Sequence, residues 1–225
     1  MTGKRIKQAT QEKPSGVSSI KEAVAFVKDH AKAKFDETVE IHVHLGVDPK
    51  QSDQNVRGTV SLPNGSPSSI KVAVFASDVA LQEKAKEAGA DIVGGIELVN
   101  EIAAKKSLAA DVAVTTPDMM KELAKIAKVL GPRGLMPNPK TGTIGNDPAA
   151  IVKSLKAGKV SFKMDDSANI HVGIAKASWD AEKIVGNARV VIDAIKQAKP
   201  STAKGEYLLS GAISSTMGVG VKIQL

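Results

Sequence analysis

The chain has 225 residues, no cysteine, 3% aromatic residues, and 31 Lys and Arg against 24 Asp and Glu. The missing thiols exclude disulfides and thiolate metal sites and fit a reducing compartment. The charge excess of +7 favours an anionic partner, but residues 1–65 with 158–225 carry +5 and residues 66–157 carry +2, so no polybasic tail exists and a folded site of defined shape is the better expectation.

Met1 to Gly16 is polar and basic without an apolar centre, which is not the pattern of a secretory signal. Helical spacing follows from Ser18 to Lys34, with Ile20, Ala23, Val24, Val27 and Ala31 on one face and a Ser19-x-x-Glu22 capping box at the start. Val39, Ile41, Val43, Leu45 and Val47 then alternate with Glu40, His42, His44 and Gly46. That is a strand with one buried and one polar face. Arg57–Leu62 is a second strand, and the Pro, Asn, Gly and Ser residues of 63–69 form a linker.

The pattern changes at Ile70–Ala76, a continuous apolar run followed by a helix to Ala88. A short run at Asp91–Val93, a helix from Ile96 to Lys106, a run at Asp111–Thr115 and a helix opened by Pro117 continue it. This βαβαβα rhythm predicts a small parallel sheet covered on both faces. Asp147-Pro148 starts one more helix, ending at Ala157-Gly158. Half-buried alternation returns in Val160, Phe162 and Met164 and in Ile170, Val172 and Ile174. A helix from Asp180 to Lys199 and a strand pair, Tyr207–Ser214 and Val219–Leu225, complete the chain.

Two regions of like character thus flank one of different character. The expected class is α/β with two domains: an α+β outer domain from residues 1–65 and 158–225, and an inserted three-layer αβα (Rossmann-like) domain from 66–157. The two crossings fall at a hinge of Gly65, Ser66, Ala157 and Gly158. The longest uncharged run, Tyr207–Val221, is 15 residues, short of the roughly 20 apolar residues of a membrane helix. No membrane association is expected, and the location read from this is cytoplasmic.

Residues 131–145, Gly-Pro-Arg-Gly-Leu-Met-Pro-Asn-Pro-Lys-Thr-Gly-Thr-Ile-Gly, join two helical patterns through a loop too long and too constrained to be mere connection. Its only charges are Arg133 and Lys140. A phosphate-cradling loop needs consecutive backbone N–H groups, and Pro132, Pro137 and Pro139 supply none, so that reading fails.

Catalysis finds little support. The histidines are His30, His42, His44 and His171, and neither a Gly-x-Ser-x-Gly nor a His-Glu-x-x-His motif occurs. His42 and His44 share a strand face and either seat a metal or fill the polar side of the strand. Asp165-Asp166 reads as a cation site or acid–base pair, or as a β-turn in which the Asp side chain takes backbone N–H groups. Phe35 is either a core plug or an exposed recognition residue. With so few aromatic residues the chain has no stacking platform of the kind that reads single-stranded bases, and nucleic acid would be met through backbone and shape.

The run Gly131 to Lys140 resembles the signature of the family of the first protein of the large ribosomal subunit, which forms the mobile stalk beside the tRNA exit site. Lys34 to Glu40, Asp53 to Thr59 and Ser215 to Gly218 also resemble family segments, in the family's order, and the match runs from about Ile20 onward. The resemblance implies a non-catalytic structural protein that needs no cofactor or metal, a monomer off the ribosome. Its implied partners are large-subunit ribosomal RNA, exit-site tRNA and its own operon mRNA, the last as a translational repressor. By motif match the RNA-binding residues fall on Lys34, Phe35, Thr38 and Glu40, and on Asp165, Ser167, Ser210, Thr216, Met217 and Gly218. Arg133 and Lys140 would face tRNA. Glu40, a carboxylate, fits as an acceptor for a base amino group or ribose 2′-OH. The sequence departs from the family pattern at Ser66–Ser69, Gly173, Ala175 and Leu108–Asp111. An α/β enzyme and a protein-interaction adaptor, each using the inserted domain, are the alternatives.

Overall fold

The computed structural model describes residues 3–225, apart from the side chains of Ser52 and Lys140. The chain begins with α1 (Lys4–Glu12), α2 (Ile20–His30), β1 (Thr38–Leu45) and β2 (Arg57–Ser61). It continues through β3 (Val72–Phe75), α3 (Val79–Glu87), β4 (Ile92–Gly94), α4 (Ile96–Lys105), β5 (Val112–Thr115), α5 (Met120–Leu123), α6 (Ala127–Leu130) and α7 (Pro148–Lys156). It ends with β6 (Lys159–Lys163), β7 (Asn169–Lys176), α8 (Ala181–Gln197), β8 (Leu208–Ser215) and β9 (Val221–Ile223). These elements divide into two compact units, the segment ending at Pro67 with Val160–Leu225, and Ser68–Lys159.

In the first unit a four-stranded sheet has the order β7-β1-β8-β9, with β1 antiparallel to both neighbours. The strict alternation of β1 decides which way the sheet faces: Val39, Ile41, Val43 and Leu45 are buried. They pack with Ala23, Val24 and Val27 of α2 and with Ile184, Ala188, Val191 and Ile195 of α8. The capping box that starts α2 is complete, Ser19 N–H donating to Glu22 Oε2 at 3.0 Å and Glu22 N–H to Ser19 Oγ at 3.3 Å. Strands β2 and β6 pair separately beside this layer.

The second unit is a parallel sheet in the order β4-β3-β5. Every residue of β3 is buried because both faces are covered. Val72 and Val74 pack with Ala85, Val152 and Leu155 from α3 and α7; Ala73 and Phe75 pack with Val99, Ile102, Leu123 and Leu130 from α4, α5 and α6. The observed class is therefore α/β, one α+β unit built from both chain ends and one three-layer αβα unit.

Two local expectations need correction. The helix expected to reach Lys34 stops at His30, because Ala31 turns to φ −76°, ψ 76°, leaving Lys34 and Phe35 in a loop. The helix opened by Pro117 is a series of short pieces, tightened to 3₁₀ geometry at Pro117–Met119 and Ala124–Ile126, yet Met119, Leu123, Ile126 and Leu130 still share the buried face. The polar N-terminal segment, for which the sequence shows no periodic pattern, contains α1. Loop 131–145 exposes its tip, 131–134, and then folds back on its own unit. Leu135 is buried, Thr115 N–H donates to Thr143 O at 3.0 Å, and Gly145 N–H donates to Thr115 O at 3.1 Å. It thereby lies beside β5.

Phe75, fully buried at the centre of the parallel sheet, is the largest such side chain there. Phe75→Ala is expected to cost about 3–5 kcal/mol, read as a lower denaturant midpoint in equilibrium unfolding.

Candidate nucleic-acid interface

The face of β1 turned away from α2 and α8 carries Thr38, Glu40, His42 and His44, all partly exposed. Register places their neighbours on β7 and β8. Gly173 and Ser214 flank Glu40, His171 and Ala212 flank His42, and Asn169 and Ser210 flank His44. At the Thr38 end a bulge between Val39 and Glu40 lets Ile174 and Ala175 both point inward. Lys176 is thereby returned to the polar face, where its Nζ donates to Thr38 Oγ1 at 2.9 Å. The strip from Thr38 to His44 spans about 20 Å at strand rise.

One end of this strip is a lip formed by residues 33–37 and 215–218. Glu37 joins its two sides. It continues the inward parity of β1 and is 1% exposed. Its Oε1 accepts from Ala33 N–H at 2.9 Å, and its Oε2 accepts from Ser215 Oγ at 2.7 Å and Met217 N–H at 3.0 Å. Burial alone pushes its carboxyl pKa up, but the Ser215, Met217 and Ala33 bonds and the charge of Arg5 outweigh that and hold it below the usual value. Thr216 closes the lip by exchange with β1: Thr38 N–H donates to Thr216 Oγ1 and Thr216 N–H to Thr38 O, each at 3.0 Å. A side chain at Gly218 would collide with Ser215 Oγ. On this fastened lip Phe35 and Met217 are left 55% and 50% exposed, and Lys34 is exposed beside Phe35. Phe35 is therefore not a core plug.

The other end is the turn before β7. Asp165 Oδ1 accepts from Ser167 N–H at 2.9 Å and Asn169 N–H at 2.7 Å, and the bond from Asn169 is the chief reason its pKa is lowered. The β-turn reading of Asp165-Asp166 is the one the structure bears out. Between the ends, Asp165 Oδ2 stands 3.5 Å from His171 Nε2, His171 Nδ1 meets His42 Nδ1 at 2.7 Å, and His42 Nε2 meets Ser214 Oγ at 2.9 Å. In that contact one Nδ1 donates and the other accepts, so the two rings cannot both be protonated at Nδ1. Burial, then the neighbouring charge of His171, lowers the His42 pKa. His44 instead bonds Asn169 Oδ1 at 2.9 Å. Among the described residues no group of three or more His, Cys, Asp and Glu has the arrangement of a metal site, and no helix is long and apolar enough to cross a membrane.

The ten candidate RNA residues all lie in the first unit. Lys34, Phe35, Thr38, Thr216, Met217 and Gly218 gather at the lip, Glu40 lies in the strip, and Ser210, Asp165 and Ser167 lie toward its far end. Arg133 and Lys140 are in the second unit. Arg133 Nη1 donates to Leu108 O at 2.9 Å, while the Lys140 side chain lies outside the described residues. Gly65 and Gly158 have φ of +86° and +110°, conformations that favour glycine. Asn187, fully buried on α8, accepts from Asn64 N–H at 3.2 Å and donates to Ile174 O at 2.7 Å.

Glu37, His171, Ser214 and Asn187 are not singled out as site residues by the sequence, and His42 is singled out only as a candidate metal ligand. Parity could have found Glu37, since 37 precedes 39, 41 and 43 on the inward face. Asn187, a polar residue in the apolar stripe of α8, was equally visible. The His42–His171 pair depends on register, which no local pattern reveals.

A model of the ribosomal protein L1p/L10e family matches residues 27–219. The chain is also 49% identical over 221 residues to the large ribosomal subunit protein uL1 of Solibacter usitatus (strain Ellin6076), covering 98% of this chain and 93% of that one.

Glu37→Gln should reduce stability by about 1.5–3 kcal/mol, the worth of hydrogen bonds to a charged group. Because the folded pKa is depressed, this contribution is present above the ordinary carboxyl value of 4.5 and is lost as pH falls through the folded value. Denaturant melts of wild type and variant should therefore differ at pH 6–8 and converge in acid.

Proposed function

The chain belongs to the ribosomal protein L1p/L10e family, and on that premise we propose that it is a structural RNA-binding protein of the large ribosomal subunit, gripping folded ribosomal RNA with the polar strip and lip of its four-stranded sheet. The observation that carries this reading is the lip. Two large apolar side chains, Phe35 and Met217, stand in water on loops fastened by a buried carboxylate. Hydroxyls, imidazoles and amides fill the strip, with few cations, which suits a surface that reads RNA by shape and 2′-OH contacts. Asp165 and Ser167 act at its far end, and Glu40 supplies an acceptor in the middle.

The finer roles extend from this. The second unit carries the exposed tip around Arg133, whose guanidinium keeps donors beyond the bond to Leu108, toward deacylated tRNA leaving the exit site. Gly65, Ser66, Ala157 and Gly158 act as the hinge between domains. The same strip holds the protein's own mRNA where that RNA copies the ribosomal shape, giving translational repression. The protein acts without catalysis, as a monomer when off the ribosome, and works in the cytoplasm where ribosomes are.

Binding to a folded large-subunit RNA fragment should weaken with salt, with a slope worth a few phosphates, because the first unit carries a modest charge excess. Affinity independent of salt, or equal for an unstructured RNA, would overturn the reading. Phe35→Ala should lose about tenfold to a hundredfold in affinity while melting near wild type, since the side chain is already exposed. Deleting 68–159 and joining Pro67 to Val160 through a short Gly/Ser link should leave a folded protein. That protein should hold the RNA within about tenfold of full-length affinity, measured by filter binding beside circular dichroism.

A further inference from the structure

Helix α1 lies outside residues 27–219, yet it reaches the lip. Arg5 Nη2 donates to Met217 O at 3.0 Å, and Arg5 Nη1 stands 3.8 Å from Glu37 Oε1. Residues 5, 9 and 12 recur on one helix face, and all three are engaged. Ala9 is buried, and Glu12 Oε2 meets His30 Nε2 at 2.8 Å. A nine-residue helix without a side-chain N-cap is too short to persist alone, so this docked face is what maintains it.

The peptide groups around Met217 are consequently held from two sides. The N–H is fixed by Glu37 and the carbonyl by Arg5. Glu37 is itself a buried carboxylate, which is costly without compensating charge, and Arg5 supplies that charge while remaining about a third exposed. The helix therefore supports the one turn on which an exposed apolar side chain is presented.

We infer that α1 is part of the nucleic-acid interface and that Arg5 is its positioning residue, neutralising Glu37 and fixing the Met217 peptide so that Thr216-Met217-Gly218 meets RNA in a single shape. This rests on the RNA-binding reading above. Arg5 acts through Glu37 and Met217 and not as a phosphate contact. Lys7, exposed on the same helix, contributes little.

The test measures full-length wild type, Arg5→Gln, Arg5→Lys, Lys7→Gln and Phe35→Ala against one folded fragment of large-subunit ribosomal RNA, with salt titrations and amide exchange at Met217. Arg5→Gln should weaken binding about tenfold, leave the salt slope unchanged and speed Met217 exchange. Arg5→Lys, which keeps the charge beside Glu37, should recover about half of the loss on a logarithmic scale, and Lys7→Gln should stay within about twofold of wild type. Wild-type affinity in Arg5→Gln, an equal loss in Lys7→Gln, or a slope reduced by about one would each overturn the inference. If Phe35→Ala weakens binding and Arg5→Gln does not, only the role of α1 falls. If wild type itself does not bind, the RNA-binding reading falls.

Discussion

The structure depends on β1 lying between two strands from the far end of the chain. Its antiparallel ladders to β7 and β8 join the residues before Pro67 to those after Val160 in one sheet. That pairing makes the first unit discontinuous in sequence. It also forces the polar residues of three strands into shared rows, because a strand whose odd positions are buried must present its even positions to the opposite face. Sliding β1 by one residue would bury Glu40, His42 and His44 and expose Val39, Ile41 and Val43. The cost of that exchange is what specifies the register, and with it the strip.

Bulges edit this regular frame at both ends of β1. The one beside Val39 turns Lys176 onto the polar face, and the one beside Leu45 leaves Leu209 outside the alternation and 49% exposed. The lip adds a second device, a carboxylate placed where the parity of β1 calls for an apolar residue. Glu37 is tolerated because four groups compensate it: two backbone N–H groups, a hydroxyl and a guanidinium. An apolar residue there would fill the space but leave the Ala33 and Met217 N–H groups without the acceptor they now have. Rigidity at the lip is thus obtained from polar satisfaction and not from packing, which leaves Phe35 and Met217 free to face outward.

Much of this was legible from residue order. Period-two alternation gave β1, β7 and the inward face of the sheet, the Ser19–Glu22 pair gave the start of α2, and the apolar runs gave a parallel sheet whose central strand is buried on both faces. The motif resemblance drew Lys34, Phe35 and the 215–218 turn together and weighed against treating Phe35 as core. Less legible was α1, whose nine residues have no apolar stripe and are helical because Arg5, Ala9 and Glu12 find partners far away in sequence. The 131–145 loop was readable as constrained, but its return along β5 was not, since hydrogen bonds from Thr115 to residues 143 and 145 leave no periodic trace.

Sequence by itself determined the faces: which residues turn inward, where helices start, and that a parallel three-layer unit interrupts a different one. These follow from local periodicity and capping, which each segment carries within a few residues. Only the tertiary structure decided the neighbours. That His42 meets His171, that Glu37 ties Ala33 to Ser215 and Met217, and that Arg5 stands at the Met217 carbonyl are pairings across 129, 178, 180 and 212 positions of chain. Long-range register and docking are set by the summed burial of the whole sheet, a quantity no short segment contains.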